Sequence, residues 1–183
     1  MHSLAEACLY VQVTPCKVCA GPLDCDGARF EHDISQNLLA LRTECRTCGA
    51  VFEARFDSSE VLPSEWASLQ EGRIADPWDA AAPMLNPEDA TSEAIDLGGW
   101  LRLYTIMADG ARSADDRAEG RRKRLVAEGC LNEALKFFEE DNELPPEDAF
   151  FNDNTRREFW ERPELFTRQH IADLRFSLLR SQG

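Results

Sequence analysis

The sequence predicts an α+β fold, with β-structure at the front of the chain and helices behind. Three observations lead there. Residues 1–57 contain segments of β-prone, alternating character, residues 58–90 are rich in proline and acid, and apolar residues from 91 onward recur at helical spacing. The predicted organisation is a small β domain (1–57), an acidic connector (58–90) and an α-helical domain (91–183).

The β domain is read from YVQV (10–13), LLALRTE (38–44) and AVFEARFD (50–57). In the last of these, Phe52, Ala54 and Phe56 alternate with Val51, Glu53, Arg55 and Asp57, the period of a strand with one buried face. The connector holds Pro63, Pro77, Pro83 and Pro87, with seven acids against one base. It also holds Trp66 and Trp78, and a free tether seldom carries large aromatics, so it is expected to pack in part on a neighbour.

The helical domain begins with a stripe of Leu97, Trp100, Leu101, Tyr104, Met107, Ala108 and Ala111, in which Gly98 and Gly99 either weaken the helix or mark a close approach. A second stripe runs through Ala127, Leu131, Ala134, Leu135 and Phe138. Val126, Cys130 and Phe137 lie beside it, which predicts a helix buried over much of its surface. Thr155 and Glu158 have capping-box spacing, and Pro163 suits the first turn of a last helix carrying Phe166, Ile171, Leu174 and Leu178.

With 183 residues, 43% apolar and 30% charged, the composition is that of a globular chain. The net charge of −14 argues against a large nucleic-acid footprint, because such binding draws on Lys and Arg against phosphate. The run Arg121, Arg122, Lys123 and Arg124 leaves a local patch open. Its simpler reading is a solvated helix face with Glu119–Lys123 and Arg124–Glu128 pairs. No apolar run approaches the ~20 residues of a membrane span. The opening MHSLAEACLYVQV lacks the basic segment of an export signal, so a cytoplasmic location is expected. Cysteines stay reduced there, and paired ones serve metals or redox chemistry.

The strongest chemical signal is two such pairs, Cys16 and Cys19 in TPCKVCAGPL and Cys45 and Cys48 in TECRTCGAVF. Each CxxC can turn both sulfurs the same way, and two turns together offer four thiolates to one ion. Gly49 follows the second pair and can take a left-handed conformation. Ala20 holds that place in the first, so the first turn is expected to differ slightly. Lys17 and Arg46, inside the pairs, are expected to offset the charge of the sulfurs.

Over residues 8–57 the sequence resembles zinc-ribbon proteins, with knuckles interleaved among strands. The resemblance implies one structural Zn2+ per chain on Cys16, Cys19, Cys45 and Cys48. The insert near DCDGARFEHDISQN is expected to form a longer loop or an extra hairpin. Iron on the same sulfurs, a CxxC redox centre, and replacement of one ligand by Cys25 or His32 are rival readings. Cys8 and Cys130 are read as small buried apolar residues. Within 125–148, the spacing of Gly129, Ala134, Phe138 and Pro146 is similar to the second half of a tetratricopeptide repeat. Any amphipathic helix ending before a proline pair fits those residues too, because Arg121 and Arg122 break the preceding half.

No phosphate loop, HExxH or GxSxG occurs. Of the three histidines, His2, His32 and His170, none lies near a nucleophile in sequence, and His170 is read as a boundary residue. The expected function is a non-catalytic adaptor or regulatory protein that meets a protein partner through its helical domain. The alternative is a nucleic-acid- or transcription-associated ribbon protein working through Arg42, Arg46 and Arg55, with Arg121, Arg122, Lys123 and Arg124 as a helping patch. An enzyme with the metal as mere support is a third reading, with no reaction to name.

Overall fold

The computed structural model describes residues 3–33, 35–59, 61, 85–86 and 90–180. The expectations for Trp66, Trp78 and the connector prolines, and for His2, lie outside the described residues. The chain divides into two compact units, Met1–Pro77 and Trp78–Gly183. The α+β class holds, with one small antiparallel sheet in the first unit and helices dominating the second.

The first unit opens on helix α1 (Leu4–Val13), which corrects the reading of YVQV as a strand. Helix-forming Ala5, Glu6, Ala7 and Leu9 precede that tetrapeptide, and Ser3 caps the helix by accepting from the Glu6 amide at 3.0 Å. Pro15 bars Thr14 from helical dihedrals and ends it. Ser3 and Glu6 have capping-box spacing, the signal that a strand reading of YVQV overlooks.

Strands β1 (Arg29–Asp33), β2 (Leu38–Glu44) and β3 (Val51–Asp57) form an antiparallel meander in the order β1-β2-β3. The registers set Phe30 against Leu41 and Arg42 against Glu53. The insert thus supplies an extra strand, β1, in a hairpin with β2. The alternation in β3 is realised, with Phe52 buried and Val51, Glu53 and Arg55 exposed. Val11 packs with Leu23, Leu41, Phe52 and the two inner cysteines, Cys16 and Cys45. Tyr10 meets Phe56 edge-on at 5.2 Å.

In the second unit, α2 (Leu97–Arg112) and α3 (Arg117–Leu135) form a helical hairpin, and α5 (Arg168–Arg180) also packs on α3. Leu97, Trp100, Leu103, Met107, Ala108 and Ala111 of α2 are buried, so Leu103 joins the expected stripe while Leu101 and Tyr104 lie beside it, half-exposed. Gly98 marks a close approach, since a Cβ there would come within 2.6 Å of Thr155 Cγ2. The short helix α4 (Asp153–Glu161) is capped by Asn152, one turn earlier than the Thr155 box predicts. Thr155 instead donates its hydroxyl to Asp96, which caps α2 and also accepts from the Phe151 amide at 3.0 Å and Asn152 Nδ2 at 2.9 Å. Pro163 starts a separate 3-10 turn (Pro163–Phe166), not the last helix. That turn brings Phe166 against Phe150 and Phe159, with centroids 5.4 and 5.9 Å apart.

In the α3 stretch the expected stripe is buried at Val126, Ala127, Cys130, Leu131 and Ala134. The helix stops at Leu135, leaving Phe137 and Phe138 in the following turn. Glu133 is the unexpected resident: fully buried, it accepts from Lys136 Nζ at 2.9 Å and from the Asn86 amide at 3.1 Å. A buried carboxylate with a cation and an amide on it has the compensation that burial requires.

Candidate metal centre

The four paired cysteines come together. One Sγ from each of Cys16, Cys19, Cys45 and Cys48 lies within 4.8 Å of all the others. Cys16 Sγ is 3.7 Å from Cys48 Sγ, and Cys19 Sγ is 3.5 Å from Cys45 Sγ. A tetrahedron with Zn–S bonds of about 2.3 Å has edges of about 3.8 Å, so the cradle is already near the size one ion needs. All seven cysteines are free thiols, with no disulfide between them.

The cradle is two copies of one turn. Cys16 N–H donates to Gly21 O and Cys45 N–H to Ala50 O, each at 2.9 Å. The Ala20 amide donates to Cys16 O at 2.8 Å and the Gly49 amide to Cys45 O at 2.9 Å. Ala20 has φ 56° and Gly49 φ 71°, so both fourth corners are left-handed, and the first turn keeps the geometry of the second despite its alanine. The turns are joined through Arg46 N–H donating to Pro22 O at 3.0 Å and Asp24 N–H to Glu44 O at 2.8 Å.

The inner sulfurs, Cys16 and Cys45, are buried in the β-unit core, and the outer ones, Cys19 and Cys48, are exposed. Backbone amides face the sulfurs: Val18 N–H to Cys16, Thr47 N–H to Cys45 and Gly21 N–H to Cys19, each at 3.4 Å. Such donors stabilise thiolate. At Cys45 the amides of Cys48 and Thr47, helped by the Cys19 and Cys48 thiols, bring the pKa down to about 6 against desolvation. At Cys19 the Gly21 amide lowers the pKa, but the surrounding Cys48 and Cys45 thiols outweigh it and push it up to about 12. In the absence of an ion the sulfurs therefore share protons unequally.

These amide donors were not part of the sequence reading, which gave the charge-offsetting role to Lys17 and Arg46. Arg46 is committed elsewhere. Its Nε and Nη2 donate to Asp24 Oδ1 at 3.0 and 2.9 Å, and Nη2 also meets Asp26 Oδ2 at 2.8 Å, tying the second turn to the insert. Cys25 and His32 stand outside the group of four. Cys25 is half-buried, its thiol pushed up by desolvation, and His32 sits on β1 opposite Leu39. Cys130 is fully buried, as expected, and burial raises its pKa strongly, while Cys8 is half-buried.

Two further features bear on function. A groove of about 500 Å3 in the helical unit has Leu101, Ile106, Phe166 and Leu174 among its walls, with the Arg102–Glu158 ion pair (3.1 Å) beside it. The basic run on α3 includes a Lys123–Glu119 pair at 2.6 Å, as the helix-face reading expects, whereas Glu128 faces Arg175 at 3.8 Å. Among the described residues no helix is long and apolar enough to cross a membrane.

Site and scaffold together define a class: a small β-module with a four-thiolate cradle able to hold a metal ion, followed by a helical unit. The cradle is compatible with a zinc-ribbon-like site. Compared with protein-family models, curated proteins and solved structures, the chain finds no match.

Proposed function

We propose that the first unit is a zinc-ribbon-like module holding one structural Zn2+, and that the chain is a non-catalytic adaptor or regulatory protein. The observation that carries the metal reading is the gathering of four sulfurs within 4.8 Å on two matching turns. Zn2+ suits four thiolates, and a complete sulfur shell leaves no open position for a substrate. A β-unit this small gains from a metal the stability its own core cannot supply. Elemental analysis of the purified protein should return one equivalent of zinc per chain. Iron in its place, or no metal at all, would overturn this reading.

The helical unit is the part that meets a protein partner. Its apolar groove and the exposed side chains of Ile106, Trp160 and Phe176 support that role. An adaptor should yield the same captured protein from its host in repeated experiments, and Ile106→Asp should abolish the capture while leaving zinc content unchanged. The strand face of the nucleic-acid alternative loses support because Arg46 is held by Asp24 and Asp26, and the exposed Arg42 lies 3.6 Å from Glu53. We place the protein in the cytoplasm, where free thiols are maintained.

A further inference from the structure

Thiols gathered around an ion are also placed to react with one another. Two close sulfur–sulfur contacts run between the turns, Cys16–Cys48 at 3.7 Å and Cys19–Cys45 at 3.5 Å, in a cluster whose four sulfurs all lie within 4.8 Å of one another. Each joins a buried thiol to an exposed one. A disulfide bond is about 2.05 Å long, so each pair must close by roughly 1.5 Å.

We propose that a peroxide converts this centre into two cross-knuckle disulfides, Cys16–Cys48 and Cys19–Cys45, which release the ion and take over its clamping role. The release rests on the metal reading above; the pairing of the sulfurs does not. The exposed member of each pair meets the oxidant first and reacts once deprotonated, since thiolate character and access together govern thiol oxidation. The sulfur of Cys19 or Cys48 attacks a peroxide oxygen, the O–O bond breaks, and the departing oxygen leaves as water. The attacking sulfur is now a sulfenic acid. The buried partner, Cys45 or Cys16, attacks that sulfur. The S–S bond forms as the S–O bond breaks, and the hydroxyl leaves with a proton as a second water. Two electrons pass from two sulfurs to one peroxide. Over both pairs, two peroxides and four protons convert four thiolates into two neutral disulfides and four waters, and the divalent cation departs for want of ligands.

The pairing decides the consequence. Cross-knuckle bonds tie the turn after α1 to the β2–β3 turn, as the ion would, and they close long loops that stabilise the folded chain. Bonds within each CxxC would leave the two turns unlinked.

Lys17 and Arg46 lie inside the pairs, so trypsin places the four thiols on separate peptides: 1–17, 18–29, 43–46 and 47–55. Cys8 and Cys25 share two of these peptides, so the full chain carrying Cys8→Ser and Cys25→Ser is treated with hydrogen peroxide, alkylated and digested without reductant. The expected map joins 1–17 to 47–55 and 18–29 to 43–46, with one equivalent of metal released and the far-UV dichroism retained. Joining 1–17 to 18–29 and 43–46 to 47–55 overturns the proposal, and so does oxidation to sulfinic acid without a disulfide. Wild-type protein with fragment-ion assignment gives the same reading should the double variant not fold. If the untreated protein carries no ion, the metal reading alone fails, and the peptide map still decides the pairing.

Discussion

The two cysteine turns share one backbone and differ in sequence at the corners that matter. The first reads CKVCAG and the second CRTCGA, so alanine and glycine exchange places while every main-chain hydrogen bond is kept. The glycines answer different demands. Gly49 sits where φ is 71° and a Cβ would meet nothing within 4 Å, so its role there is conformational. Gly21 has no positive φ, but a Cβ on it would collide with the Thr47 side chain of the opposite turn. The surroundings differ as well. The second turn joins β2 to β3 and is shaped by the sheet, whereas the first lies between α1 and the insert on the isolated bridges Pro15↔Pro22 and Leu23↔Cys45. A turn held by paired strands should be largely formed before the ion arrives, whereas a turn held by isolated bridges should depend more on the ion.

The largest effect that tests this contrast is removal of an inner sulfur. Cys16→Ser or Cys45→Ser should reduce metal content to near zero and unfold the β-unit, because structural zinc supplies roughly 10–16 kcal/mol of apparent free energy in small domains. Far-UV dichroism should retain the helical signal of the second unit. Loss of the helices as well would show that the two units do not fold separately.

Metal removal separates the turns from one another. With a chelator present, amide exchange should rise first at Ala20 and Cys16, whose bonds lie in the bridge-held turn. Gly49 and Cys45, next to the sheet, should stay protected longer. Equal exchange at both sites would mean the sheet preforms neither turn.

Acid should do part of the chelator's work. Metal binding requires deprotonated sulfur, so protons compete with the ion. Cys45, at about 6, is already mostly thiolate at neutral pH, but Cys19, at about 12, must lose its proton when the ion enters. Affinity should therefore fall as pH falls, by about tenfold per unit for each thiol still protonated in the free chain. Competition with a chromophoric chelator between neutral pH and mild acid measures the slope, and a flat profile would contradict the protonated Cys19.

The gathering of the four cysteines was legible because CxxC spacing is a local property, and two copies leave few arrangements other than one cluster. The strands β2 and β3 were legible for the same kind of reason, β2 from its apolar, β-prone residues and β3 from alternation visible within seven residues. One failure came from a missed local signal and the others from tertiary choices. YVQV has the composition of a strand, yet the Ser3 cap and the alanines upstream commit it to α1, and its Tyr10 and Val11 then serve the core from a helix. Thr155 has a capping residue's chemistry but gives its hydroxyl to Asp96, fifty-nine residues away in sequence. Glu133 follows a helical apolar pattern's spacing without its polarity, and only Lys136 and Asn86 in place make its burial intelligible.

Smaller effects probe the glycines. Gly21→Ala forces a methyl against Thr47 and should cost about 1–3 kcal/mol, the usual range for overpacking. Gly49→Ala meets no side chain and should cost about 1–2 kcal/mol through the left-handed backbone alone. Thermal or denaturant unfolding of the metal-loaded protein compares them. Thr47→Gly should rescue the first variant and leave the second unchanged, which distinguishes collision from conformation.

The smallest expected change is a gain. Ala20 holds a left-handed φ of 56° in the first turn, where the second turn uses glycine. Replacing it, Ala20→Gly, removes the steric penalty of a Cβ beside the following carbonyl, about 1–2 kcal/mol. Against that stands the greater freedom of glycine in the unfolded chain, about 0.4–1 kcal/mol. The net should be stabilising by about 0–1.6 kcal/mol, read as a slightly higher unfolding midpoint and slower metal loss to a chelator. A destabilised Ala20→Gly protein would mean that the alanine methyl makes a contact worth more than its strain. The two turns would then be alike in backbone shape and different in what holds them there.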